Sequence, residues 1–196
     1  MSRAGERAHL NEERPSADDV MRWHDDVFVA LGRLERSLGE AILAQSEVPE
    51  QFVGMSEEEV RRHFGDARDE LEHVTCLQLL AAAEAVLRVD YLIRVYGKQK
   101  DPISKAFRAL YKEKKRRVAL DEDLLDLWRE HEPASRTVIG DFRGALHYRN
   151  WLAHGRYWKP ALARSNYDAQ SLFEDLCALF RKLPGVSGWP GKLVRL

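Results

Sequence analysis

Apolar residues recur along most of this chain at steps of three and four, the spacing that gathers them on one face of an α-helix. The first such stripe runs through Val20, Trp23, Val27, Leu31, Leu34, Leu38 and Ile42. Ser16 and Asp19 precede it at capping-box spacing, which predicts a long helix opening near Ser16. A heptad-like stripe of this kind packs within its own domain or against a second copy, and Trp23 is expected in that core or interface. Segment 46–55 contains Pro49 and Gly54 and reads as a loop. Ser56 and Glu59 form a second capping box, predicting a short helix toward Gly65. From Asp66 a long helix is expected to about Tyr96, with Gly97 as its stop and Leu77, Leu80, Leu87, Tyr91 and Val95 on its core face.

The second half continues in the same period. Asp101-Pro102 opens a helix carrying Ile103, Phe107 and Leu110. Asp121 begins another through Leu124, Leu125 and Leu127, which Pro133 ends. Ser135 is positioned to cap the next helix, whose apolar residues are Val138, Ile139, Phe142 and Leu146. Asn166 or Asp168 starts a final helix with Leu172, Phe173, Leu176, Leu179 and Phe180. Residues 1–15 lack periodicity and are expected to be a mobile N-terminal arm. Residues 184–196 contain Pro184, Gly185, Gly188, Pro190 and Gly191, which predicts an irregular C-terminal tail. No strand-like alternation or internal repeat interrupts the pattern. The expected fold is all-α, an antiparallel helical bundle of five to seven helices, with a single domain over 16–183.

Length and composition fit that picture: 196 residues suffice for one sizeable core, and 32% charged with 44% hydrophobic residues is an ordinary soluble composition. The N-terminal residues lack an apolar signal-peptide core, and no apolar run approaches bilayer-spanning length. A cytoplasmic protein that does not enter a membrane is therefore expected. Cys76 and Cys177 lie far apart within helical patterns and read as reduced core thiols. The net charge of -1 conceals a division. Residues 1–72 hold 18 Asp/Glu against 9 Lys/Arg, while residues 73–196 hold 14 against 22. The second half is the one suited to a polyanion. Within it, the run Lys112-Glu113-Lys114-Lys115-Arg116-Arg117 is either a solvated helix end or a phosphate-backbone contact.

That basic half contains the densest chemistry in the chain: His147-Tyr148-Arg149-Asn150-Trp151-Leu152-Ala153-His154-Gly155-Arg156-Tyr157-Trp158. Gly155 ends the helix and Pro160 disfavours its resumption. Asn150 and His154, four apart, share a face, with His147 a turn earlier. Arg149 continues the stripe of Phe142 and Leu146 and is expected to point largely inward. His154, in the last turn, is expected to be partly accessible. Between Val74 and Leu87 the one charged residue is Glu84, on the apolar face of its helix. A lone carboxylate there needs a cation, and Arg149 is the inward-facing candidate. His147 and His154 stand about 10 Å apart along the axis, too far to share a metal. With no paired cysteines and no His-Glu-x-x-His, neither a metal nor a cofactor is expected. Arg68 and His73 repeat the Arg-x4-His spacing in a charged, solvated stretch that reads as a poor site.

Arg149-Asn150-Trp151-Leu152-Ala153-His154-Gly155 resembles the Arg-polar-x(3–5)-His signature of HEPN domains. Glu84, within Ala83-Glu84-Ala85, resembles the acidic residue that many members carry opposite the motif. The resemblance covers about residues 66–182 and implies a compact all-α domain. Many members are metal-independent endoribonucleases that act as toxins or in phage defence, and others bind without cleaving. The implied catalytic set is Arg149, Asn150, His154 and Glu84, with His154 moving the proton, Arg149 holding the phosphate and Glu84 holding Arg149. Arg156, Tyr157, Trp158 and His147 are the candidate RNA contacts, although Tyr157 and Trp158 are equally suited to capping the bundle. The implied partners are RNA, a second copy whose motif lines the same cleft, and a cognate antitoxin. A non-catalytic RNA- or nucleotide-binding module, or a purely helical interaction domain, are the alternatives.

Overall fold

A computed structural model of the chain describes residues 16–115, 117–159 and 167–191. The expected N-terminal arm and the end of the C-terminal tail lie outside the described residues. Among those described, the chain forms six α-helices and no strand: α1 Ala17–Leu43, α2 Glu57–Tyr96, α3 Pro102–Lys114, α4 Asp126–His131, α5 Arg136–Ala153 and α6 Ala169–Arg181. The fold is an all-α bundle. No helix among the described residues is long and apolar enough to cross a membrane.

Helix α2 is the axle. Its 40 residues span about 60 Å at 1.5 Å per residue. The two helices expected on either side of Gly65 are one. Ser56 caps the start through Glu59, while Val60 and Phe64 are buried against Leu38 and Phe52 in a small second core. That burial outweighs the cost of about 1 kcal/mol for a glycine inside a helix. Pairings along α2 fix the directions of its neighbours. Glu72 meets His24 and Arg68 meets Glu35, so α1 runs antiparallel to it. Arg94 meets Asp101, Tyr91 meets Phe107 and Lys115, and Tyr96 meets Tyr111, so α3 packs across the last two turns of α2. Glu84 meets Arg149 and Glu70 meets Arg156, which makes α5 antiparallel as well.

Of the two places expected for Trp23 the core is excluded, since it is 43% exposed; α1 turns Val20, His24 and Leu38 toward α2 and leaves Trp23 and Leu34 on its flank. One expectation about α5 needs correction. Ser135 does not cap α5; its hydroxyl donates to Glu132 O at 2.6 Å within the preceding turn. Ser16 accepts from Asp19 N, Asp101 from Ser104 N and Asp168 from Ser171 N as expected, whereas the helix expected to open at Asp121 begins instead with a π-helical turn, Leu120–Leu125, that has no side-chain cap. The described part of the C-terminal tail is irregular yet packed. Trp189 stacks on Phe180 at 4.7 Å, and Pro190 O accepts from Asp18 N at 3.3 Å.

Candidate functional site

The site grows from the way α5 ends. His154 is its C-cap, Gly155 follows with φ +79°, and Arg156 N donates to Trp151 O at 3.1 Å while Gly155 N donates to Leu152 O at 3.3 Å. This double reversal needs a left-handed residue after the cap, which glycine adopts without strain. The turn is held by Trp151, whose Nε1–H donates to Trp158 O at 2.7 Å. It leaves His154 exposed, with its ring 6.3 Å from that of Trp158.

The inward stripe of α5 is Ile139, Phe142, Ala145 and Tyr148. It differs from the expected one: Tyr148 takes the interior position, and Arg149 is displaced to the flank with 35% of its side chain exposed. From there Arg149 still reaches α2, where its Nη2 donates to Glu84 Oε2 at 3.2 Å and its Nη1 donates to Asn150 Oδ1 at 3.2 Å. The carboxylate of Glu84 is 19% exposed and has a second cation that the sequence reading missed. Arg88 Nε donates to its Oε1 at 2.8 Å. The signal was present as the helical i,i+4 spacing of Glu84 and Arg88.

Arg149, Asn150 and Glu84 are thus brought into direct contact. His154 lies one turn beyond Asn150, and His147 is exposed on the same side of α5. Arg156 instead turns back to the N-terminal half of α2, bonding Glu70 at 2.7 Å and His73 Nδ1 at 2.8 Å. Tyr157 is 83% exposed and edge-on to Trp158.

The weaker Arg-x4-His copy has divided fates. Arg68 turns to α1, where it pairs with Glu35 and lies over Phe28. His73 sits beside the motif helix, 6.0 Å from the Trp151 ring. Because a guanidinium donates to its Nδ1, that nitrogen is an acceptor and the proton of the neutral ring resides on Nε2.

Beneath this surface the interior is chemically quiet. Burial pushes the Cys76 thiol up to about 12, aided by the charges of Glu72 and Asp168, so it stays protonated and unreactive. Burial likewise drives the Tyr148 hydroxyl well above its ordinary value, with Cys76 nearby adding to the effect. Both cysteines are free thiols. Among the described residues no group of three His, Cys, Asp or Glu side chains could hold a metal ion. Comparison with family models, with curated proteins and with solved structures returned no match.

What this arrangement can do follows from charge. Two arginines flank one carboxylate, which leaves a cationic surface at a partly exposed position. An arginine fork suits an oxyanion with two oxygens, such as a phosphodiester. A titratable imidazole stands one helical turn from the amide that Arg149 holds. The carbonyl end of α5 repels an anion, so the guanidiniums supply the attraction needed there.

Proposed function

We propose that this chain is a metal-independent endoribonuclease of HEPN type, acting as a toxin or phage-defence effector. The observation that supports it best is the Glu84–Arg149 pair, partly exposed and joined to Asn150, with the exposed His154 one turn away. In the reaction the 2'-hydroxyl oxygen of one nucleotide attacks the adjacent phosphorus, and the bond from phosphorus to the 5'-oxygen breaks. One proton leaves the 2'-hydroxyl and one reaches the departing 5'-oxygen. The products are a 2',3'-cyclic phosphate and a 5'-hydroxyl. His154 moves a proton, a role worth about 10²–10⁴-fold in rate. Arg149 stabilises the charge that builds on the phosphorane-like transition state. Glu84 and Asn150 fix the guanidinium, and Asn150 O accepts from His154 N at 3.1 Å. A second copy of the chain would present its own motif to the same cleft and supply the second imidazole that a base-and-acid pair requires.

The test incubates purified full-length protein with unstructured RNA in the presence of a chelator and compares wild type with His154→Ala. Cleavage by wild type, reduced at least 100-fold in the variant, is the expected result. Cleavage that needs added metal or survives the substitution overturns the nuclease reading. RNA that is bound but left intact assigns the chain to the non-catalytic binding class instead.

A further inference from the structure

Glu84 divides its carboxylate between two cations, Oε1 accepting from Arg88 Nε at 2.8 Å and Oε2 from Arg149 Nη2 at 3.2 Å. One negative charge between two positive ones leaves an excess of one cation. Both side chains remain over a third exposed, 39% for Arg88 and 35% for Arg149. A guanidinium has five N–H donors. Among the described residues Arg88 uses Nε on Glu84 and Nη1 on Val118 O, at 3.0 Å. With 39% of the side chain in solvent, Arg88 has donors to spare for a ligand.

The bond to Val118 gives Arg88 a second neighbourhood. Val118 directly follows the basic run Lys112–Arg117, and Tyr91 pins the end of that run to α2 by donating its hydroxyl to Lys115 O at 2.9 Å. Lys112, Lys115 and Arg117 are exposed, whereas Lys114 is paired with Asp123 at 2.6 Å. Arg88 therefore stands between the motif arginine and the exposed cations at the end of α3. We propose that Arg88 is a second phosphate-binding arginine, and that with Arg117 it continues the path of an RNA backbone from Arg149 toward the end of α3. This rests on the RNA reading above and extends it from one scissile phosphate to a track. Glu84 acts as the spacer that sets the two guanidiniums side by side without like-charge repulsion, and Val118 O aims the further one.

The test measures binding of an end-labelled, unstructured RNA oligonucleotide as a function of salt, with His154→Ala as the parent so that the RNA stays intact. Each phosphate contact on a single strand contributes about 0.7 to the slope of log affinity against log salt. Arg88→Ala and Arg117→Ala are each expected to lower that slope by about 0.7, and Arg88→Lys to restore most of it. Lys98→Ala, an exposed cation at the far end of α2, is expected to leave it unchanged. A folded Arg88→Ala with the parental slope overturns the track, as does an equal loss in Lys98→Ala. Should Arg88→Ala fail to fold, the exposed Arg117 decides alone, and an unchanged slope there overturns the proposal. If the parent binds no RNA at any salt concentration, the RNA reading falls and takes the track with it.

Discussion

Helix α2 carries two arginine–carboxylate clusters less than two turns apart, and they are opposites. At Arg94 the pair with Asp90 is 4% exposed on both sides. Arg94 donates to Asp90 at 2.7 Å, Asp101 at 3.2 Å, Ser104 at 3.4 Å and Pro184 O at 2.7 Å, and its guanidinium lies 5.0 Å from the Trp128 ring. Gly185, at φ +76°, completes the seal, since a Cβ there would come within 3.0 Å of Arg94 Nη2. This cluster ties α2 to α3 and to the segment after α6, and it has no room for a ligand. At Arg149 the same chemistry is left open, with two acceptors engaged and a third of the side chain in solvent. A cation with four hydrogen bonds sealed within the fold is a fastener. One held by a single carboxylate and facing water can bind something else.

The largest expected effect falls on the sealed cluster. Arg94→Ala strands the buried Asp90 and removes four hydrogen bonds, and breaking a buried pair in this way costs about 3–5 kcal/mol. Denaturant unfolding should report that loss as a lower midpoint. A variant as stable as wild type would mean that the Arg94 cluster does not hold the helices together, and the contrast would collapse.

Much of this fold was legible in the residue pattern, because helical period, capping boxes and terminal glycines are local signals. The Glu84–Arg149 contact was legible too, since a lone carboxylate on an apolar face calls for a cation. What escaped depends on angles and distances between helices. The inward position on α5 went to Tyr148 rather than Arg149, a shift of one residue that periodicity resolves poorly when Phe142, Ala145 and Leu146 are all apolar. Continuity of α2 through Gly65 was hidden because the compensating burial of Phe64 against Phe52 comes from a loop residue. His73 was set aside as solvated, and its place beside Trp151 could not be inferred before the α2–α5 register was known. The role of Arg94 was not legible, because its partners Asp101, Ser104 and Pro184 O all come from outside α2.

An intermediate effect concerns pH. Burial raises the Asp90 carboxyl to about 6, with Arg94 pulling the other way and Asp101 adding to the rise. The folded chain then holds this proton more tightly than the unfolded chain, so its contribution to stability is lost as pH climbs from about 4 through about 6. The lowered carboxyls of Asp101, Asp123 and Asp168 act in the opposite sense, and lose their contribution as pH falls below the ordinary aspartate range. Subtracting the stability profile of Asp90→Asn from that of wild type removes every group the two share. The difference should slope downward between about pH 4 and 6. A flat difference would place an ionised aspartate beside Arg94 throughout, making the sealed cluster electrostatically closer to the open one.

The smallest stability effect is expected where the functional effect is greatest. The Arg149–Glu84 pair is partly solvated, and pairs of that kind contribute about 0–1 kcal/mol. Glu84 also keeps Arg88 at 2.8 Å when Arg149 is gone, so Arg149→Ala leaves no stranded charge. The variant should unfold within about 1 kcal/mol of wild type. Removing one group that stabilises transition-state charge typically costs about 10²–10³ in rate, so RNA cleavage by the same variant should fall by that factor. The joint measurement, unfolding midpoint against cleavage rate, separates fastener from binder on a single residue. If Arg149→Ala instead unfolds as readily as Arg94→Ala, the open cluster is structural after all, and exposure on α2 ceases to distinguish the two.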